Sequence, residues 1–173
     1  PLITEKMAMD GPFSEELGAN LLKKDGYKDN VVLCLNYDGK FGLNNMNNYF
    51  QCANHEGEAV VWGEWIYKKG DPILFNDSKR FPVLYNNLKG WIVEIEKNKT
   101  DIRFTIDIDM KLTEKECKEN EIEFVKDTGK YTRICLQIFK YNYNVPENEI
   151  DEMRMKAVEP FQLAYAVSIH KAQ

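Results

Sequence analysis

Residues Gln162 to Gln173 read Q-L-A-Y-A-V-S-I-H-K-A-Q: an apolar run, a hydroxyl, then His-Lys-x-Gln. About five to seven small and apolar residues suffice for one buried strand and are too few for a membrane span. A strand apolar on both faces belongs in a parallel sheet covered by helices. Polar groups just past its carboxyl end occupy the place where open α/β sheets bind ligands. Ser168, His170 and Lys171 fall there. The sequence stops partway through that site, so it is expected to be a piece of a longer protein, with Pro1-Leu2-Ile3 an unnatural start.

A second continuous apolar run, Val31–Leu35, has the same character. It leads into Asn36-Tyr37-Asp38-Gly39-Lys40 and then a helix over about 41–52, whose Leu43, Met46 and Phe50 form one core-facing stripe. Strand, glycine-containing loop and helix make half of a βαβ unit. Lys40 at the helix N-terminus is a candidate phosphate partner, the alternative being a solvent-facing lysine. Upstream, Ser14 caps an expected helix running to about Lys24, after the break at Gly11-Pro12.

Between the two apolar runs the pattern changes. Ile73–Asn76 and Trp91–Glu96 read as strands, with a turn at Lys97-Asn98-Lys99-Thr100. Ile102, Phe104, Ile106 and Ile108 then alternate with Arg103, Thr105, Asp107 and Asp109, one buried face and one wet face. Thr113-x-x-Glu116 is a capping box opening a short polar helix. Asp127-Thr128-Gly129-Lys130 between two apolar-rich runs predicts a hairpin. Pro146 and the acids after it suit a returning linker or an exposed helix start. The expected whole is a mostly antiparallel β domain, a small barrel.

Composition narrows the classes. A hydrophobic fraction of 43% supports a core, and a mean hydropathy of -0.52 with no apolar run near eighteen residues argues against a membrane protein. The four cysteines are far apart, without a C-x-x-C pair and with only His55 and His170 beside them. Free thiols in a reducing cytoplasm fit better than a zinc site. Net charge of -5 argues against wholly electrostatic nucleic-acid binding. It is uneven: residues 62–106 carry eight Lys/Arg against six Asp/Glu, and 107–127 four against eight. No G-x-x-x-x-G-K-S/T loop is present, so nothing cradles nucleotide phosphates, and two histidines do not make a nucleophilic triad. Trp62, Trp65, Tyr67, Phe75, Phe81, Tyr85 and Trp91 are interleaved with lysines and an arginine. That is the composition of a single-strand stacking surface, with core packing the default for each ring.

A-Y-A-V-S-I-H-K-A-Q resembles the motif V region of RecD-like helicases of the UvrD/RecD superfamily, A-Y-A-x-T-x-H-K-x-Q-G, with Ser168 in place of threonine. The strand at 31–35 and G-K-F-G-L-N-N-M-N-N-Y-F-Q resemble the same family's motif IV neighbourhood. Gly39, Gly42, Asn47 and Gln51 match, while Met46 and Phe50 replace leucines. The family carries a Src-homology-3-like barrel between these motifs that begins G-D-x-V. Gly70-Asp71-Pro72-Ile73 matches that start, and Asn86-Asn87-Leu88-Lys89-Gly90 follows its later N-G-x-x-G with Asn87 replacing the first glycine.

The resemblance implies a partial RecA-like parallel sheet, first part 13–58 and returning strand 156–173, with a β-barrel lobe inserted at 59–155. It implies a cytoplasmic, ATP-dependent DNA helicase. Its partners would be single-stranded DNA and an upstream RecA-like domain of the same protein, with no membrane. ATP and magnesium would serve the longer protein and neither would bind this piece, which is expected to have no ATPase activity alone. Ser168 and His170 would face the DNA backbone, with Lys171 and Lys40 beside them. Lys171 and Gln173 would link nucleotide state to DNA grip. The alternative is a non-catalytic interaction module with a degenerate motor remnant, which the acidic 107–127 stretch favours.

Overall fold

The computed structural model describes residues 31–168. The helix expected over 14–24 and the residues His170, Lys171 and Gln173 lie outside the described residues. In chain order the elements are β1 (Val32–Cys34), α1 (Leu43–Cys52), β2 (Val60–Trp62), β3 (Trp65–Tyr67), β4 (Pro72–Phe75), β5 (Lys89–Lys97) and β6 (Asp101–Ile108). There follow α2 (Glu114–Glu119), β7 (Glu123–Asp127), β8 (Thr132–Phe139), a single 3-10 turn and α3 (Ile150–Ala157), β9 (Phe161–Leu163) and β10 (Ala166–Ser168). No helix among the described residues is long and apolar enough to cross a membrane.

Strands β1 and β10 are parallel neighbours, with Val32, Leu33 and Cys34 opposite Ala166, Val167 and Ser168. The two apolar runs therefore share a parallel sheet, as the resemblance implied, through Val32–Cys34 and Ala166–Ser168. Helix α1 lies against them: Leu43, Met46 and Phe50, the predicted stripe, pack with Val32, Cys34, Tyr165 and Ala166 in one apolar cluster. Among the described residues, nothing covers the other side of β1 as its composition implied. Val31, Leu33 and Leu35 are half or more exposed, because α1 screens only the alternate positions.

The terminal run is not one strand but two. Residues 161–163 pair antiparallel with β4, whereas 166–168 pair with β1, so the chain changes sheets at Ala164-Tyr165. Ala164 N–H donates to Pro72 O at 2.8 Å on one side, and Ala166 N–H donates to Asn47 Oδ1 at 2.9 Å on the other. A continuous apolar run hides such a switch, since both halves are buried and hydropathy alone sees no boundary.

The middle of the chain is mainly antiparallel, as its alternation predicted. Six strands stand in the order β7-β8-β6-β5-β4-β9. Ile102, Phe104, Ile106 and Ile108 on β6 are fully buried, each worth about 1.5–3 kcal/mol over an exposed position. The strands do not close into the expected barrel. Among the described residues, edges β7 and β9 bond only to β8 and β4, and β2–β3 forms a separate two-stranded hairpin. Asp107, expected on the wet face of β6, is instead buried in a bidentate pair with Arg133, at 2.7 and 2.9 Å. The capping box at Thr113 and Glu116 is present in both directions. The 127–130 turn is held by Gly129 N–H donating to Asp127 and Thr128 N–H donating to Tyr131 O.

Candidate functional site

The two parallel strands end side by side. Ser168 stands opposite Cys34, and the loop from Asn36 through Lys40 leaves the same end of the two-stranded sheet. Ser168 is 4% exposed, and its Oγ is buried without a hydrogen-bond partner. An unsatisfied buried hydroxyl costs about 1–3 kcal/mol, so this is a place where the fold tolerates an unmet donor. Beside it, Val31–Cys34, the following loop and Met46 line an open cavity of about 750 Å³ that includes Lys40.

Lys40 is exposed, and its carbonyl accepts from Asn45 Nδ2 at 2.7 Å. The helix N-terminus beside it is not an open anion site. Leu43 N–H already donates to Asn36 O and Asn44 N–H to Tyr37 O, so the loop itself satisfies the first amides of α1. Gly42 permits that wrap: a Cβ there would sit 2.5 Å from the Asp38 carbonyl carbon. Gly39-Lys40 lies in the loop whose carbonyls take the first amides of α1, and Gly129-Lys130 closes a hairpin rather than opening a helix. Among the described residues, no group of three or more His, Cys, Asp or Glu side chains could hold a metal ion.

Behind the strand exits lies a polar junction whose members come from separate stretches of chain. Asp71 is fully buried at the start of β4. Its Oδ1 accepts from Tyr165 Oη at 2.6 Å and Asn54 Nδ2 at 2.9 Å; its Oδ2 accepts from Gln51 Nε2 at 2.6 Å and Lys68 N–H at 2.7 Å. Burial pushes the carboxyl above its ordinary range, and the bonds from Tyr165, Lys68, Asn54 and Gln51 pull it back. Burial, then the charge of Asp71, raises the Tyr165 phenol far above its usual value, so it stays protonated and donates.

The junction extends both ways. Asn47 holds Ala166 of β10 through both backbone groups, at 2.9 and 3.3 Å. Lys68 Nζ donates to the carbonyls of Gln51 and Asn54, satisfying the C-terminal end of α1 from outside the helix. Gly70 makes the turn before Asp71 with φ +87°, a conformation that favours glycine.

Sequence reasoning marked Asn47, Gln51, Gly70 and Asp71 as motif positions without a task, and did not single out Asn54 or Tyr165. The available signal was the set of polar residues inside otherwise apolar motif blocks. Of the residues read as DNA-facing, only Ser168 and Lys40 are described, and they share one end of the sheet. Of the seven interleaved rings, Trp62, Tyr67, Phe75, Phe81 and Trp91 are buried, and only Trp65 and Tyr85 are half-exposed. In comparisons with known proteins, no family model and no curated protein matches the chain.

Proposed function

We propose that this chain is part of the second motor region of a RecD-like, ATP-dependent DNA helicase, supplying single-strand contacts and motor coupling. On this reading the mainly antiparallel lobe is the family's inserted Src-homology-3-like barrel, here left open. The parallel pair β1–β10 belongs to a RecA-like sheet completed elsewhere in a longer protein. ATP and magnesium act there, with the upstream motor domain as partner. Ser168, His170, Lys171 and Lys40 contact the strand, and Gln173 serves coupling.

One observation carries the reading. Residues from the three stretches that resemble the family's motifs, Asn47 and Gln51, Asp71, and Tyr165-Ala166, meet in one buried hydrogen-bonded junction. Polar residues in apolar surroundings are costly unless paired, so their joint satisfaction supports reading the three stretches as one unit. The unmet Ser168 hydroxyl at the strand exit supports a ligand-facing end. The mechanism is positional: hydroxyl, imidazole and ammonium groups bond phosphate oxygens and hold a strand without reading its bases.

The test is His170→Ala and Lys171→Ala in the longer protein carrying the upstream motor domain. Single-strand binding should fall several-fold whatever the sequence, duplex unwinding should fall with it, and ATP binding should stay nearly intact. Wild-type binding and unwinding by both variants would leave the strand exit as scaffold and return the chain to the interaction-module alternative.

A further inference from the structure

Two cavities meet at one exposed ring. A cleft of about 250 Å³ lies between α1, β3 and β9, with Asn44, Asn48, Trp65 and Gln162 in its walls. A larger groove of about 1120 Å³ runs from the β2–β3 hairpin across the β5–β6 turn to the segment after β8, lined in part by Trp65, Lys99, Lys140, Tyr141 and Tyr143. Trp65 and Glu159 line both.

The side chains along this track share a chemistry. Trp65 is 49% exposed and Tyr143 88%, the latter the most exposed of the described aromatic rings. Tyr141 and Tyr143 stand edge to face at 4.7 Å. Lys97 Nζ donates to Val61 O at 2.7 Å, tying the hairpin that carries Trp65 to the long strand β5. In the cleft, Gln162 Nε2 is buried without a partner, while its Oε1 accepts from Asn76 at 3.3 Å. Three lysines, Lys97, Lys99 and Lys140, face two acids, Glu64 and Glu159, in the groove. Burial also pushes Glu159 above the usual carboxylate range. The track is locally cationic on a chain whose net charge is -5.

We infer that this track is a single-stranded nucleic-acid path, on which Trp65 and Tyr143 stack bases and Lys99 and Lys140 meet phosphates. The inference rests on the proposed helicase reading for its ligand and carries it further, since the strand would continue off the motor part across the β lobe. Stacking on exposed rings beside a cationic groove is the sequence-tolerant mode of single-strand binding. The amide-lined cleft, with its unmet Gln162 donor, offers an acceptor-seeking group to a base edge or phosphate. A proline-rich peptide would also use exposed rings, but Lys99 and Lys140 beside the rings are better matched to a polyanion.

The experiment measures binding of this chain to a fluorescein-labelled oligothymidylate of about twenty nucleotides, longer than the ~4–16-nucleotide footprints of known single-strand folds. Anisotropy at low salt is compared for wild type, Trp65→Ala, Trp65→Phe, Tyr143→Ala and Lys99→Glu, with Ser168→Ala alongside. Affinity should fall roughly five- to 150-fold for each ring removal, with Trp65→Phe retaining most of it. Lys99→Glu should weaken binding and flatten the salt dependence. Crosslinks from a 5-bromouracil oligonucleotide should map to peptides containing Trp65 and Tyr143, a readout that stands even where a variant fails to fold.

Wild-type affinity in Trp65→Ala and Tyr143→Ala, with crosslinks elsewhere, would overturn the path and leave the helicase reading standing. Loss in those variants but not in Ser168→Ala would keep the path and count against the strand exit. Failure of wild type to bind the oligonucleotide would overturn the path, and capture of a proline-rich peptide through Trp65 instead would assign the groove to a protein partner.

Discussion

Tyr165 Oη donates a 2.6 Å hydrogen bond to Oδ1 of Asp71, a residue 94 positions earlier in the chain, and both side chains are buried. The bond sits where the chain passes from the six-stranded sheet to the parallel pair. It joins the first residue after the Gly70 turn to one of the two residues that separate β9 from β10. Four donors converge on this one carboxylate, which has no ammonium or guanidinium among its bonded partners.

Removing the phenol should therefore be felt by both sheets. Tyr165→Phe keeps the ring but loses the bond to a charged acceptor, worth about 1.5–3 kcal/mol, and with it the bond that Oη accepts from Asn54 Nδ2 at 3.1 Å. Asp71→Ala strands several buried donors and should cost more. Urea unfolding of both variants and the double variant should give a sum of single effects larger than the double effect, since they share one bond. Additivity within ~0.5 kcal/mol would mean that the contact is not energetically coupled.

Asn87 has φ +72°, and its N–H donates to Phe75 O at 2.8 Å. Asparagine is one of the few residues besides glycine that tolerate this left-handed region. Asn87→Gly should leave the melting temperature close to wild type. Asn87→Val should cost about 1–2 kcal/mol or more, because a β-branched residue meets the full steric penalty there. Equal stability of the two variants in thermal melts would contradict the assigned turn geometry.

Two arginines on the same sheet should behave differently. Arg133→Ala leaves Asp107, whose side chain is 1% exposed, without its bidentate partner, and removing one partner of a buried pair costs about 3–5 kcal/mol. Arg103 pairs with a Glu123 side chain that is 59% exposed, and Arg103→Ala should cost only about 0–1 kcal/mol. Chemical denaturation of the two variants side by side checks the ordering.

Lys89 gives a pH signature. Burial lowers its ammonium to about 8, partly opposed by Asp109, and Nζ donates to Ala164 O at 3.3 Å. The folded state therefore releases this proton before the unfolded chain does, near 10.4. Between about pH 8 and pH 10 the unfolded state binds more protons, so this group's contribution to stability rises with pH. The raised Cys34, Cys117 and Cys135 thiols pull the opposite way above about 9. The contribution is isolated by subtraction: Lys89→Met should show a lower slope of unfolding free energy against pH than wild type in that window. Parallel curves would place Lys89 in solvent.

Local order in the sequence was enough for much of this protein. The stripe Leu43, Met46, Phe50 determined α1, the four alternating residues of β6 determined its buried face, and Thr113 with Glu116 determined the cap of α2. In each case the information lies within one or two turns or a few pleats, where periodicity and capping act directly. Composition marked both apolar runs as strands, while their parallel relation was an expectation of the family resemblance and is present in β1 and β10. What only the tertiary structure decided depends on partners far along the chain. The break at Ala164-Tyr165 is set by Pro72 and Asn47, the burial of Asp107 by Arg133, and the burial of Asp71 by donors from four other positions. An apolar residue looks the same in sequence whichever sheet buries it, and a carboxylate looks solvent-bound until its distant donors are brought around it.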